Sequence, residues 1–407
     1  MLLCDKDRLQ DKISTFSKFG DTGTGGISRL SLSAAAIQAR NEFKKRCEKL
    51  NMEVVTDDLG DMYAVYPGTE KKATIMMGSH ADSVINGGNY DGILGVLTAL
   101  EVAETLITSG TKTKNNIGVM IWTNEEGARF PPALMCSGVV AGKFDKAQMM
   151  AVRDKGGVSF QEALDASGFK GEEKNRMSAK NQCAFFELHI EQGPVLEMEK
   201  KDIGVVVGVV GMVNYTISLK GVSDHAGTTP QHTRKDPLYA ASQVIIELWD
   251  KLAKIDPELV FTTGIINAYP NIHTVIPNLV EFSLDARHKD AEVIKKVVEV
   301  IKALPKEVAK CKLEYKENWA RNTIMFDKAM VASVQKAADE LGYPSRKIYS
   351  GAGHDAQYVA DMMPTTMIFV PSLDGHSHCV EEHTSTEACW KGANVMLQAF
   401  LEMDQKL

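Results

Sequence analysis

Two periods of hydrophobic and polar positions succeed one another along this chain. Residues 5–18 and 33–50 have the 3.6-residue spacing of amphipathic helices, the second with Ala36, Phe43 and Leu50 on one side. Glu53–Thr56 and Met62–Tyr66 read as paired strands about a turn at 57–61. Residues 73–77, 117–122 and 185–190 are short apolar runs, the pattern of buried strands. Residues 93–107 are apolar on nearly every side, which predicts a buried helix. Strands alternating with helices predict an α/β layer with a mixed, largely parallel sheet.

The pattern changes near Gly211. Strand, helix, strand, strand, helix and strand follow over residues 214–219, 237–255, 259–266, 279–286, 291–304 and 312–316. That order, β-α-β-β-α-β, is the ferredoxin-like one and makes a unit of its own. The α/β pattern then resumes, with helices at 326–341, 356–360 and 386–403 and a strand at 365–369. The expectation is one discontinuous α/β domain, 1–211 and 325–407, interrupted by an inserted α+β domain, 212–324.

Composition narrows the function. A chain of 407 residues, 44% hydrophobic and 24% charged, has the make-up of a globular protein. A net charge of −7 leaves no basic excess for phosphates, so no nucleic-acid partner is expected. The seven cysteines are scattered and form no C-x-x-C pair, which fits a reducing compartment. The opening MLLCDKDRLQ meets charge too early for a secretory core, and no apolar run is long enough to span a bilayer. A cytoplasmic protein with no membrane partner is the expectation.

The chemistry-bearing residues collect where strands end, the place where open α/β sheets put their sites. GSHADSVINGGNYD, residues 78–91, offers His80, Asp82 and Asp91. His80 and Asp82 lie two apart and share a face on extended backbone, a ligand with the acceptor that fixes its tautomer. Glu125 and Glu126 follow one strand, His189 and Gln192 another, and His383 lies in the loop before the last helix. Imidazoles from His80, His189 and His383 with carboxylates from Asp91 and the Glu125/Glu126 pair suit zinc, manganese, cobalt or nickel. So many ligands, one of them able to bridge, read as a two-metal site. Hydrolysis at such a site needs one glutamate as ligand and one as base, and spacing leaves open which is which. Each residue also has an ordinary reading: Asp91 as a helix cap, the glutamates as solvated acids, His383 as a loop histidine. In the insert, small residues flank His225, which could donate to an oxyanion, and Arg287 and Asn278 stand at strand ends where a carboxylate could bind.

The ordered motifs GSHADSV, GGNYDGILGV, TNEEGARF, ELHIEQGPVLE, GVSDHAGTTP, VIPN, DAR, SGAGHDA and EEHTS resemble the hydantoinase/carbamoylase branch of the co-catalytic metallopeptidase-like amidohydrolases. The likeness runs from about Gly25 to the closing helix. It implies a two-metal α/β catalytic domain, a lid that dimerises, and two divalent ions per subunit. It implies His80, Asp91, Glu126, His189 and His383 as ligands with Asp91 bridging, Asp82 orienting His80, and Glu125 as general base. It implies that His225 stabilises the tetrahedral intermediate, reaching into the partner's site, and that Gln192, Asn278, Arg287, Gly353 and His354 hold substrate. The expected substrate is a small ureido acid, an N-carbamoyl-L-amino acid, with allantoate or ureidoglycolate as the rival. An aminoacylase or dipeptidase, or a non-catalytic metal-stabilised dimer, is the more distant alternative. The segment Leu373-Asp374-Gly375-His376-Ser377-His378 departs from the branch by carrying extra histidines.

Overall fold

The protein is described by a computed structural model over residues 1–70 and 73–407. It divides into two compact units, Met1–Gly208 with Met325–Leu407, and Val209–Ile324. The second begins at Val209, slightly before the expected residue 212, and its first strand is Gly211–Lys220.

The larger unit carries a nine-stranded mixed sheet. Its centre is four neighbouring strands, Asn116–Trp122, Thr74–His80, Gln182–Ile190 and Thr365–Val370, mutually parallel. Met62–Tyr66 and Ile203–Val209 flank them antiparallel. The central strands are buried almost throughout, which is why each reads as a continuous apolar run. Parallel strands end at one edge. The register sets His80 opposite Trp122 and His189 opposite Phe369, so the segments after all four strands emerge together.

The helix Ile93–Thr108 packs on this sheet and is buried from Ile93 to Ala103. Glu101 is its fully buried charge. Its carboxylate takes hydrogen bonds from Arg8 at 2.6 Å and 2.8 Å and from the buried Lys12 ammonium at 2.7 Å, tying the Lys6–Phe16 helix to this one. Burial works against ionisation, but Arg8 and Lys12 outweigh it and hold the carboxyl below its usual 4.5. Glu101→Ala leaves buried cations short of a partner and is expected to cost about 3 kcal/mol, the low end for a broken buried pair because Glu104 still reaches Lys12. A folded-state pKa below the unfolded one gives stability that is present above the unfolded value and lost as pH falls through the folded one. Thermal melts at pH 7 and pH 4 check this: the gap between wild type and variant should narrow at the lower pH.

The smaller unit is an antiparallel sheet under two helices, Pro237–Leu252 and Ala291–Lys302. Its long strands run in the order Ile266–Tyr269, Leu279–His288, Gly211–Lys220, Cys311–Arg321, which is the ferredoxin-like arrangement. Leu279–His288 alternates buried and half-buried positions residue by residue, since the helices cover one face. Ile217, Leu219, Val244, Leu248, Phe282 and Val297 fill the space between. The expected single strand at 259–266 is two, Val260–Thr262 and Ile266–Tyr269, broken at Thr263-Gly264. Among the described residues no helix is long and apolar enough to cross a membrane.

Candidate metal centre

His80 closes its strand and is 1% exposed. Its Nδ1–H donates to the backbone carbonyl of Asp82 at 3.0 Å, so the neutral ring carries its lone pair on Nε2. His189, also 1% exposed, does the same: Nδ1–H donates to the Ile190 carbonyl at 2.9 Å and Nε2 accepts from the Gly92 N–H at 3.1 Å. Both rings are thus held in the tautomer a metal ligand needs. Gly92 has φ +64°, and a Cβ there would stand 2.2 Å from the His80 ring, so only glycine fits between them.

Asp91 does not cap the helix that follows it. Gly92 holds the cap position and no side chain caps it, which frees the Asp91 carboxylate. Oδ1 lies 3.4 Å from His80 Nε2 and 3.3 Å from His189 Nε2. Oδ2 lies 3.4 Å from His378 Nε2, which is itself 3.4 Å from Glu126 Oε2. Two groups of residues that could each hold a cation, called ligand groups below, therefore share one carboxylate: His80, Asp91 and His189, and Asp91, Glu126 and His378. Gln192 Nε2 and Ser377 Oγ donate to the same Oδ2 at 2.6 Å and 2.9 Å.

Glu125 belongs to neither group, and its Oε2 stands 3.6 Å from His80 Nε2. Burial, with Glu126, Asp355 and Asp91 adding to it, pushes its carboxyl well above the usual range against the pull of His80. Burial and Asp91 push Glu126 up to about 7. Burial works to lower the His80 pKa, but Glu125, Asp91 and Asp82 outweigh it and raise it well above its ordinary value. Several carboxylates packed in a buried place, with Glu126 Oε1 lacking a hydrogen-bond partner among the described residues, suit divalent cations.

Three expectations meet a different geometry. Asp82 orients His80 through its backbone carbonyl. Its nearer carboxylate oxygen is 4.0 Å from Nδ1, because the strand has already ended at His80. That carboxylate instead accepts the backbone N–H groups of Glu125 and Glu126, at 3.3 Å and 3.2 Å, and fixes the turn that carries both acids. His383 is exposed and lies in neither ligand group. Its Nδ1 is 3.4 Å from the Tyr90 hydroxyl, and His378 is the histidine that stands beside Asp91 and Glu126. His354 is buried, with Nε2 2.9 Å from Ser350 Oγ and its ring edge-on to His189 at 4.6 Å, so it packs behind a ligand. Gly353 sits half-buried in the turn before it.

On the insert, His225 is exposed and its Nδ1 accepts from the N–H groups of Gly227 and Thr228, at 3.0 Å and 3.2 Å. The ring proton is therefore on Nε2, the tautomer of a donor. Arg287 Nε bonds Asp285 at 2.7 Å, and Asn278 is exposed. A third group of ligand types, Asp256, Glu258 and His288, lies on this unit too. There the His288 Nδ1 accepts from the Asp290 N–H, so Nε2 holds the proton and faces Asp256 at 3.4 Å. That is an acid–imidazole contact with the wrong tautomer for a cation.

Sequence reasoning did not assign His378, nor two groups that hold the site. Arg29, 2% exposed, donates to the backbone carbonyls of Ala81, Phe16 and Phe19 beneath the His80 turn. Glu187, fully buried, accepts from Ser79 Oγ at 2.6 Å and from the Ala356 N–H at 2.9 Å. Closeness to the end of the Thr365–Val370 strand marks the loop of His376, His378 and His383, but not which of the three faces Asp91.

A family model described as Peptidase family M20/M25/M40 matches residues 61–402. The chain is similar to an N-carbamoyl-L-amino-acid amidohydrolase of Rhizobium meliloti, 36% identical over 402 residues, 97% of this chain and 96% of the relative. It is 35% identical to an allantoate amidohydrolase of Bacillus subtilis (strain 168), over 93% of each. A crystal structure of an amidase of the hydantoinase/carbamoylase family from Burkholderia multivorans superposes with a TM-score of 0.90 at 37% identity, covering 98% of both chains.

Proposed function

The chain belongs to peptidase family M20/M25/M40, and from that premise we propose that it is a metal-dependent amidohydrolase of linear ureido C–N bonds. Its substrate is an N-carbamoyl-L-amino acid, and its products are the amino acid, ammonia and carbon dioxide. The observation that carries this is the split use of Asp91, one oxygen toward His80 and His189 and the other toward His378, with Glu125 beside them in neither group. His80, Asp91 and His189 would hold one divalent cation, and Asp91, Glu126 and His378 a second, of zinc, manganese, cobalt or nickel. When bound, the pair would polarise the ureido carbonyl and make a water acidic.

The chain's own groups do the rest. Glu125 accepts the water's proton and delivers it to the leaving nitrogen, a task open to a carboxylate that stands beside His80 and serves in neither ligand group. Asp82 keeps Glu125 and Glu126 in their separate roles by fixing their backbone. His225 donates from Nε2 to the developing oxyanion. Arg287 and Asn278 of the insert take the substrate carboxylate, and Gln192, bonded to Asp91 Oδ2, and Gly353 are the substrate contacts of the larger unit. His354 keeps a supporting role behind His189.

Ammonia release from N-carbamoyl-L-amino acids, allantoate, N-acyl amino acids and dipeptides, on protein loaded with each of the four metals, tests the assignment. The N-carbamoyl-L-amino acids should show the highest kcat/KM. Preference for allantoate would favour the reading drawn from the Bacillus subtilis relative, and preference for dipeptides would end the ureido assignment.

The protein acts as a cytoplasmic homodimer formed through the insert. Supporting this, Tyr239, Ile246 and Trp249 lie on one face of the Pro237–Leu252 helix at 60%, 63% and 52% exposure. Ile266–Tyr269 is a sheet edge, with Ile266 and Tyr269 exposed as well. Exposed apolar residues beside an unpaired strand edge suit a two-fold contact with a second copy. Ile246→Glu should turn the dimer into a folded monomer in light scattering; a dimer of unchanged strength would place the contact elsewhere.

A further inference from the structure

We propose that Glu382 is a positioning residue that locks the His378 segment to the Asp91 segment and so forms the cation seat of Asp91, Glu126 and His378. The proposal rests on the two-cation reading above. Glu382 is 4% exposed. Its Oε1 accepts the backbone N–H groups of Tyr90 and Asp91, at 2.9 Å and 3.0 Å. Its Oε2 accepts the His378 N–H at 3.3 Å and lies 3.2 Å from Ser377 Oγ. The Ser377 hydroxyl is also 2.9 Å from Asp91 Oδ2, and its single proton serves one carboxylate at a time. Three backbone N–H groups, two on Oε1 and one on Oε2, thus converge on Glu382, which accepts from all of them. Gly88 leaves the room it needs, since a Cβ there would stand 2.2 Å from Oε1.

The two seats are held differently. His80 and His189 ride on central strands whose ladders fix them. His378 lies in a loop whose one regular element is the short turn Leu373–Gly375. Its side chain is 49% exposed, so packing does not fix it. Its φ of +59° is a conformation that a residue with a Cβ keeps only when neighbours impose it. Glu382 supplies that constraint, joining segments almost 300 positions apart in sequence. Removing it should therefore empty one seat and spare the other.

The test is metal content by elemental analysis after dialysis, with Co²⁺ titration, on wild type, Glu382→Ala and Glu382→Gln, and melts of the metal-free forms. Wild type should hold two ions and Glu382→Ala one. Co²⁺ affinity of the weaker seat should fall by about 10–100-fold, the usual effect of losing a ligand's hydrogen-bonded support. The metal-free alanine variant should melt only slightly below the metal-free wild type, by no more than backbone N–H groups left without their acceptor cost. Glu382→Gln should fall between them, because its carbonyl oxygen can still accept from Tyr90 and Asp91 while its amide nitrogen cannot accept from His378. It decides the matter if the alanine variant does not fold. Two tightly held ions in the variants overturn the proposal and leave the two-cation reading standing. Loss of both seats together with a much lower metal-free Tm also overturns it, making Glu382 merely structural. Fewer than two ions in wild type sinks the two-cation reading itself, and this proposal with it.

Discussion

Glu125→Gln should keep both cations and lose turnover by about 10²–10⁴-fold, the range for removing a general acid–base group. The reason is geometric. Glu125 is buried and stands 3.6 Å from His80 Nε2, yet it is in neither ligand group. The amide is close in size, so the Glu125–Glu126 turn, tied through its backbone to Asp82, has no cause to move. What the amide cannot do is take a proton. The loss should appear in kcat with KM little changed, because the group acts on a proton in flight and contributes little to substrate affinity. Glu126→Ala is the control: it should lose bound metal as well as turnover. Equal metal loss in both variants would contradict the division of roles.

The second large effect separates two histidines. His378→Ala should lose the cation shared by Asp91 and Glu126, and with it most activity. His383→Ala should retain both ions. The first reaches Asp91 Oδ2 and Glu126 Oε2 at 3.4 Å each; the second is exposed and faces the Tyr90 hydroxyl. Second-ion stoichiometry by elemental analysis reads the difference directly. The opposite result, with His383→Ala losing an ion and His378→Ala keeping both, would return the site to the ligand set that the motif resemblance implied.

That contrast shows where the sequence was legible and where it was not. The central strands were visible because burial on both faces leaves uninterrupted apolar runs. His80, His189 and the Glu125–Glu126 pair drew notice for the same reason, since a buried parallel strand announces its end, while the choice of Glu126 over Glu125 as ligand came from the motif resemblance. His376, His378 and His383 share a loop with no period, and nothing local says which one turns inward. The choice is made by contacts from Tyr90 and Asp91, almost 300 positions away, through Glu382. The role of the Asp82 carboxylate was hidden because the i, i+2 rule assumes the strand continues. It stops at His80, and the side chain turns to the Glu125–Glu126 backbone instead. His354 was assigned to substrate by the motif resemblance alone, and its burial against the His189 ring could not be read from the sequence. The insert's strand order followed from its pattern, while the break at Gly264 did not, because a single glycine in an apolar run does not by itself say where a ladder changes partner.

The most direct measurement is anomalous diffraction from crystals of the manganese- or zinc-loaded protein. Two peaks per chain are expected, one against Asp91 Oδ1 with His80 and His189, the other against Asp91 Oδ2 with Glu126 and His378. A single peak, no peak, or a second ion seated on His383 would contradict the shared-carboxylate centre on which the proposed chemistry depends.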